Sequence, residues 1–241
     1  MSGPVKVPRR RCTVGRPSTM LNTTELHSQG YTVVKSLMGH AETGILLRGV
    51  MVHVDDRGAE PIFNYNTETA RNDRRRRQVN MPVALSRGLA ERLDTLVGRR
   101  AAANDFVILE SRPGCQIQAA HTDYVPDDAL RTTTDDTMPL LAVIALQPAT
   151  TLEVWPASHR LVRRTRLTRV TPKIARHTVT LEAGDVIVFR GDLVHAGSAY
   201  KARNIRLHAY IDHPTVPRPP NRTWAIGRHA DPLMRAAILE A

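Results

Sequence analysis

Cysteine and long apolar runs are both scarce in this chain, and each scarcity excludes a class of protein. Only Cys12 and Cys115 occur among the 241 residues. Two cysteines are too few for a disulfide framework and lack the CxxC pairing typical of a structural zinc site. No run approaches the roughly 18 consecutive apolar residues of a membrane-spanning helix. These absences predict a soluble intracellular protein, cytoplasmic or nuclear, with organellar import left open.

Lysine and aromatic residues are scarce as well, although the chain is strongly basic. The net charge is +11 and the pI about 10.6, yet only four of the 34 basic residues are lysine. Arginine binds phosphate and carboxylate groups bidentately, so the charge allows an acidic substrate, a nucleic acid or another polyanion as partner. A compositional bias of the source genome explains the arginine excess equally well. Aromatic residues, at 4%, leave few platforms for stacking bases.

Acidic residues are absent before Glu25. Segment 1–24 is therefore predicted to be a basic, disordered tail, because its prolines argue against the amphipathic helix of an organellar presequence. Residues 25–213 are predicted to form a single domain, which suits a chain of this length. Residues 214–241 are predicted to be a proline-rich C-terminal extension with a short closing helix at its end.

The first half of the predicted domain mixes apolar segments with one clear helix. Residues 31–38 and 44–54 are interpreted as short strands or buried segments. A helix is predicted after them, capped by Asn80 and stopped by Gly98. Its leucines recur at helical spacing: Leu85, Leu89, Leu93 and Leu96. The arginine cluster at 71–78 is interpreted as solvated surface.

From about residue 105 onwards, short β-rich runs alternate with turn clusters. The runs are FVILE, CQIQAAH, LLAVIAL, TLEVWP, HTVTL, DVIVF, LVHAG and IRLHAYI. Several short strands at close spacing predict a mainly β sandwich or barrel, with the preceding helix packed on one face.

Histidine and aspartate two positions apart offer candidate metal ligands. The pattern occurs three times, at His53/Asp55, His121/Asp123 and His229/Asp231. One pair alone is weak, because a polar pair at the end of a strand has the same appearance. The surrounding residues must therefore distinguish between the three.

The pair His121/Asp123 has the most suitable surroundings. On a strand, residues i and i+2 project to the same face, so both side chains can reach one ion. Downstream, a glycine turn enters the apolar strand 186–189, and His195 follows it. Two histidines and one carboxylate on one face of a metal are the ligand set of non-haem Fe(II) oxygenases.

A cationic strand face follows the last of these histidines. Arg206 lies eleven positions after His195 in the run IRLHAYI. Alternation places Arg206, His208 and Tyr210 on one face and apolar residues on the other. A polar inner face of this kind is what a barrel that holds a carboxylate ligand requires.

These motifs together resemble the Fe(II)- and 2-oxoglutarate-dependent dioxygenase superfamily, and within it the phytanoyl-CoA hydroxylase-like branch. The resemblance rests on HTD at 121–123, VWPASH at 154–159, GDVIVF at 184–189 and HAGSAYKARNIR at 195–206. Ala157 stands where this branch usually has glycine.

The resemblance implies a double-stranded β-helix, a jelly-roll or cupin-like barrel, with its core at about 105–212 and an N-terminal helix against it. It also implies that His121, Asp123 and His195 bind Fe(II) and that Arg206 holds the distal carboxylate of 2-oxoglutarate. Ser198 is a candidate to assist Arg206. The implied reaction uses O2 to hydroxylate a C–H bond of an unidentified substrate and converts 2-oxoglutarate to succinate and CO2.

Several alternatives stay open for individual residues. Arg203 is a second candidate for the carboxylate, and His208 and Tyr124 are candidates to line the pocket. His159 is interpreted as structural, and Gln118 has no assigned role.

Two other classes of function also stay open. One is a non-catalytic β-barrel module of a larger basic, nucleic-acid-associated assembly. The other is a cupin-like metalloprotein that needs no 2-oxoglutarate. Replacement of Arg206 distinguishes the cupin-like protein from the oxygenase, because only the oxygenase depends on this side chain.

Overall fold

The computed structural model describes residues 20–58, 60–61, 75–98, 102–125, 128–164, 175–216, 218 and 224–226. Its helices are α1 (Thr23–Gln29), α2 (His40–Arg57), α3 (Val83–Val97), α4 (Asp128–Arg131) and α5 (His159–Arg164). Its strands are β1 (Tyr31–Val34), β2 (Glu60–Pro61), β3 (Arg76–Asn80), β4 (Ala102–Ser111), β5 (His121–Thr122), β6 (Leu140–Ala145), β7 (Thr150–Val154), β8 (His177–Leu181), β9 (Val186–Arg190), β10 (His195–Gly197), β11 (Asn204–Asp212) and β12 (Trp224–Ala225). Within these ranges, no helix combines the length and the apolar character needed to cross a membrane.

The described strands form two antiparallel sheets. The larger sheet has the order β1-β9-β6-β11-β4-β3-β2, and the smaller has the order β12-β5-β10-β7-β8. In both sheets, strands that are distant in the chain lie side by side. The architecture is mainly β with flanking helices, as the strand pattern predicted.

Strand β6 shows how the core is divided. All of its residues are buried, and alternate residues point to opposite faces. One set packs with Val50 of α2 and Leu93 of α3. The other set packs with Val154 of β7 and Phe189 of β9, between the sheets. Because both faces are covered, the strand must be apolar throughout, which explains the run LLAVIA.

Strand β11 alternates as predicted. Its helix-side residues belong to the same core as α2 and α3: Ile205, Leu207, Ala209 and Ile211. On the other face, Tyr210 packs into the core between the sheets, and His208 reaches Asp123. The polar face of β11 therefore lies inside the fold, where the apolar outer residues hold it.

Two predictions about the first half of the domain were wrong in detail. Residues 44–54 lie in helix α2 instead of a strand. Their β-branched, apolar run fits either structure, and only packing against the sheet decides between them. Asn80 ends β3 and does not cap α3, whose N-cap is Pro82. Helix α3 itself is confirmed, and it ends at Gly98 in the left-handed conformation.

The run CQIQAAH was also predicted as a strand, and most of it is not. Cys115 makes one isolated bridge with Tyr200, and residues 116–120 form no strand. Strand β5 contains only His121 and Thr122, so Asp123 lies just beyond its end. The chain is thus outside regular strand pairing from residue 116 to 120 and again at Asp123.

The arginine cluster at 71–78, interpreted as solvated surface, contains a buried residue. Residues 71–74 lie outside the described part of the chain, but Arg76 opens β3 and is 3% exposed. Its guanidinium donates to the carbonyl oxygens of Gln116, Gly197 and Ser198. Arg76 therefore joins β3 to the segment before β5 and to the end of β10.

Both predicted terminal segments contribute residues to secondary structure. Helix α1 begins at Thr23, inside the segment 1–24, whereas residues 1–19 lie outside the described part. In the segment 214–241, Trp224 and Ala225 form β12 and pair with β5. The predicted closing helix at 231–241 lies outside the described residues. The boundaries 25–213 stay a prediction.

The turn after β7 contains an alanine in a glycine-like conformation. Ala157 has a φ of 60°, in the left-handed region, which costs roughly 1–2 kcal/mol for a residue with a Cβ. Its N–H donates to the carbonyl of Gln29, 2.8 Å away. This bond ties the turn to α1. The positive φ explains why glycine is usual at this position in similar sequences.

We expect Ala157→Gly to raise the free energy of unfolding by about 1 kcal/mol, because glycine adopts this φ without steric cost. Urea denaturation measures the change. The matched control is Ala84→Gly on the exposed face of α3, which should lower stability by about 1 kcal/mol. A destabilised Ala157→Gly variant would contradict the strain at this turn.

Asp185, in the motif GDVIVF, is a buried carboxylate with three hydrogen bonds. It accepts from the Lys35 ammonium at 2.7 Å, the Ser36 N–H at 3.0 Å and the Glu182 N–H at 2.9 Å. Burial alone raises the pKa of Asp185, but these hydrogen bonds outweigh it and hold the pKa below its usual value. The carboxylate thus connects the end of β1 to the start of β9.

We expect Asp185→Asn to lower the free energy of unfolding at pH 7 by about 2 kcal/mol, mainly by leaving a backbone donor without its acceptor. The Lys35 ion pair adds little, because that side chain is 60% exposed. The folded pKa lies below the unfolded value of 3.8. The contribution is therefore complete above pH 4 and is lost as the pH falls further.

Urea denaturation of wild type and Asp185→Asn at pH 7 and pH 3 measures this difference. The gap should narrow at pH 3, below the unfolded value of 3.8, because the unfolded chain then binds a proton that the folded Asp185 binds less readily. Asp56→Asn, at an exposed position of α2, is the control and should leave stability unchanged at both pH values. A gap that is equal at the two pH values would contradict the predicted role of the charge.

Candidate metal centre and 2-oxoglutarate site

Two histidines on neighbouring strands of the smaller sheet face each other. His121 opens β5 and His195 opens β10, and the two residues are directly opposite each other in the antiparallel pair. Their ring centres are 4.4 Å apart. Asp123 follows β5 and reaches the same point. Pairing of the strands therefore brings together His121 and His195, which are 74 positions apart in the chain.

The three side chains form a compact group of metal-ligand atoms. One atom from each of His121, Asp123 and His195 lies within 4.8 Å of the others, and all three residues are buried. His121 Nε2 is 3.7 Å from Asp123 Oδ1, and His195 Nε2 is 3.5 Å from Asp123 Oδ2. Two imidazoles and one carboxylate at this spacing can hold a divalent cation.

The backbone determines which nitrogen of each histidine is free. Nδ1 of His121 lies 2.7 Å from the carbonyl of Ala119, and Nδ1 of His195 lies 3.1 Å from the carbonyl of Leu193. A carbonyl oxygen only accepts, so Nδ1 must carry the proton in both rings. The lone pair is then on Nε2, which faces Asp123. This is the usual arrangement of metal-binding histidines, so the residues fit a metal.

The protonation states also suit a cation. Burial lowers the pKa of His121 to about 4, and the neighbouring His195 lowers it further than Asp123 raises it. Burial acts to raise the pKa of Asp123, but the neighbouring imidazoles of His195, His208 and His121 bring it well below its usual value. A neutral imidazole and an ionised carboxylate are the forms that coordinate metals.

Arg206 lies deeper on β11. It is 2% exposed, donates to Ser111 Oγ at 3.0 Å and stands over the Tyr200 ring at 5.2 Å. Among the described residues, no carboxylate lies within ion-pair distance of it. Burial of a guanidinium without a carboxylate partner costs free energy of folding, unless an anionic ligand neutralises its charge.

Comparison with known families identifies the chain. The model of the family described as phytanoyl-CoA dioxygenase matches residues 26–207, which include every side chain of this site. The chain belongs to the phytanoyl-CoA dioxygenase family. This member of the family has no match among curated proteins.

Solved structures show the same fold at low sequence identity. The 2-oxoglutarate-dependent carbocyclase SnoK of nogalamycin biosynthesis has a TM-score of 0.62 and 19% identity, over 79% of this chain and 82% of SnoK. The epimerase SnoN, in complex with Fe3+, α-ketoglutarate and a nogalamycin, has a TM-score of 0.61 and 17% identity over 86% and 95%. HygX from Streptomyces hygroscopicus, with nickel and 2-oxoglutarate, has a TM-score of 0.56 and 12% identity over 86% and 94%.

The family and its fold settle the general reaction type. This dioxygenase-family member is a non-haem oxygenase that uses Fe(II), 2-oxoglutarate and O2. Its fold is the double-stranded β-helix that the sequence resemblance implied.

The structure does not bring all of the other candidate residues of this oxygenase into the site. The Ser198 hydroxyl donates to Glu153 Oε1 at 2.9 Å, whereas the hydroxyl that Arg206 contacts in the described part of the chain is that of Ser111. Arg203, the second candidate for the carboxylate, donates to Glu110 at 2.7 Å and pairs with Asp55. The spacing after His195 made Arg203 and Arg206 both plausible partners for the carboxylate. Of the two, only Arg206 lies on the inner face of β11.

Three further residues have structural contacts. Gln118 accepts from the N–H of Gly197 at 2.8 Å, which secures the strand pair that carries the two histidines. Tyr124 is buried rather than at an entrance, and its hydroxyl donates to Asp212. His159 is buried, and burial lowers its pKa to about 4, consistent with a structural histidine.

The rival pair His53/Asp55 of this oxygenase does not compete for the metal. His53 lies on α2 and contacts the carbonyl of Asn80, and Asp55 pairs with Arg203. Positions i and i+2 of a helix do not face each other, so this pair cannot converge on one ion. His229 and Asp231 lie outside the described residues.

Sequence reasoning missed two side chains around the site, Ser111 and Phe189, and named His208 only as a candidate to line the pocket. Ser111 is the hydroxyl that contacts Arg206, Phe189 packs on His195 with ring centres 4.7 Å apart, and His208 contacts Asp123 itself. Nε2 of His208 lies 3.3 Å from Asp123 Oδ2. The alternation of β11 placed His208 on the correct face, but no local signal connects it to a residue in another sheet.

Proposed function

We propose that this protein hydroxylates a C–H bond of an organic substrate and couples that reaction to the oxidative decarboxylation of 2-oxoglutarate to succinate and CO2. In this proposal His121, Asp123 and His195 bind iron. When bound, iron and 2-oxoglutarate supply the oxygen activation. The protein contributes the ligands, the orientation of the co-substrate and a buried environment.

The observation that carries the proposal is the buried guanidinium of Arg206, which has no carboxylate within ion-pair distance among the described residues. Arg206 and His208 are consecutive residues on the same face of β11, so they are about 7 Å apart along the strand. His208 contacts Asp123, which places Arg206 one such step from the metal site. A five-carbon dicarboxylate can bridge this distance, with one end on the metal and the other on Arg206.

Each remaining residue of the 2-oxoglutarate site has a defined task. Ser111 orients the guanidinium of Arg206 by accepting one of its N–H groups. Tyr200 covers the face of the guanidinium and shields it from water. We therefore assign the support of Arg206 to Ser111 and Tyr200 and no longer to Ser198.

We further propose that the substrate approaches from the end of β11 that lies away from Arg206. Along the inner face the order is Arg206, His208 and Tyr210, whose ring packs at 4.9 Å from that of His208. The Arg218 guanidinium stands over the Tyr210 ring at 4.3 Å. The net charge of +11 favours a substrate that bears an acidic group.

The first test of the proposed function is an anaerobic titration with Fe(II) and then 2-oxoglutarate. We expect a visible charge-transfer band, because a keto acid chelated to iron in a two-histidine, one-carboxylate site produces one. His195→Ala should lose metal binding and the band. His177→Ala, at an exposed histidine of β8, is the matched control and should retain both.

The other outcomes of this titration identify the alternative functions. Iron binding without the band would indicate a cupin-like metalloprotein that does not use 2-oxoglutarate. The absence of any metal binding would indicate a non-catalytic module.

The second test is the affinity for 2-oxoglutarate in the metal-loaded protein without oxygen. Arg206→Ala should weaken binding 10- to 100-fold, because a charge-assisted bidentate contact contributes about 1.5–3 kcal/mol. Arg206→Lys keeps the charge but loses the fork, and should be intermediate. Calorimetric titration measures the dissociation constants.

Metal affinity and the melting temperature are measured in the same variants to show that the fold is kept. The matched control is Arg203→Ala, which removes an arginine outside the site and should bind 2-oxoglutarate as wild type does. Wild-type affinity in Arg206→Ala would overturn the assignment of the carboxylate site.

A further inference from the structure

Asp123 faces three imidazoles, one more than the metal site needs. Nε2 of His195 lies 3.5 Å from Oδ2, Nε2 of His121 lies 3.7 Å from Oδ1, and Nε2 of His208 lies 3.3 Å from Oδ2. The His208 contact is the shortest of the three. His208 nevertheless falls outside the group whose ligand atoms all lie within 4.8 Å of one another.

His208 also comes from a different part of the fold. His121 and His195 belong to the smaller sheet, whereas β11 lies in the larger sheet between β6 and β4. Asp123 is thus contacted from both sheets, by the two candidate metal ligands of the smaller sheet and by His208 of the larger sheet. His208 is 12% exposed, and its ring is held edge-on against Tyr210.

We propose that His208 is a positioning residue that donates its Nε2–H to the carboxylate of Asp123 and holds it as a one-oxygen metal ligand. The proposal rests on the proposed role of Asp123 in metal binding. A carboxylate can bind a cation through one oxygen or through both. A hydrogen bond to one oxygen leaves only the other available to the metal.

The hydrogen bond from His208 would affect how many coordination positions a bound metal keeps open for the reaction. Three protein ligand atoms leave three positions on a six-coordinate iron, and 2-oxoglutarate and O2 need all of them. A carboxylate that binds through both oxygens would occupy one of these positions. Hydrogen-bond partners of metal ligands also raise metal affinity, typically 10- to 100-fold. In this proposal His208 therefore raises the affinity for the metal and keeps one of its coordination positions open.

The first test measures the affinity of the metal-free protein for Co(II) by calorimetric titration, with no turnover involved. His208→Leu should bind Co(II) about 10-fold or more weakly than wild type, since the hydrogen bond is lost. His208→Gln can place an N–H near the same point and should recover to within about 3-fold of wild type. His177→Leu removes an exposed histidine and should show no change.

Two results of the Co(II) titration would overturn the proposal. Wild-type affinity in His208→Leu would mean that Asp123 needs no partner. Equal loss in His208→Gln and His208→Leu would mean that the imidazole acts as a direct metal ligand or only fills space. The melting temperature of each variant shows whether that variant still folds. If His208→Leu does not fold, the Co(II) affinity of His208→Gln alone decides the outcome.

The second test needs no metal and separates this proposal from the proposed function. Long-range 1H–15N spectra of the metal-free protein report the protonated nitrogen of each imidazole. We expect a slowly exchanging proton on Nε2 of His208 that is lost in Asp123→Ala, and protons on Nδ1 of His121 and His195. An unprotonated Nε2 in His208 would overturn the proposal. If wild type shows the expected proton but binds no metal, the proposed function fails and the hydrogen bond stands.

Discussion

The antiparallel pairing of β5 with β10 is the constraint on which the site depends. It sets His121 directly opposite His195, and Asp123 follows within two residues. Strand β5 is only two residues long, so its own ladder is a weak support. Arg76 adds to it, because its guanidinium binds carbonyls both before β5 and at the end of β10. Arg76, the buried residue of the arginine cluster, thus helps to hold β5 and β10 in register at the candidate metal site.

Close approach at this point also explains a glycine. A Cβ at Gly197 would lie 2.5 Å from Gln118 Oε1 and 2.6 Å from Arg76 Nη1. Both neighbours are themselves hydrogen-bonded across the strand pair, so neither can move without cost. The glycine of the HAGS run is needed for backbone packing two residues after a metal ligand, and it has no part in the chemistry.

Buried arginines in this protein differ in what neutralises them. Arg190 pairs with Asp192 and Asp135 inside the protein, and Arg76 binds carbonyl oxygens. Arg206 has a hydroxyl and an aromatic ring but no carboxylate among the described residues. Among these three arginines, Arg190 and Arg76 join parts of the fold, whereas Arg206 is the one that we propose binds a ligand.

Local patterns in the sequence determined much of this protein. Period-two alternation identified the inner face of β11, the apolar run LLAVIAL identified the strand β6, and residue types identified a metal-ligand set. Local patterns failed where two structures suit the same residues, as in α2, and where a side chain is satisfied by distant backbone, as with Arg76. Only the tertiary structure decided that His208 meets Asp123, that Ser111 supports Arg206 and that Ser198 does not. These contacts join strands far apart in the chain, so they depend on sheet order and register, which no local pattern specifies.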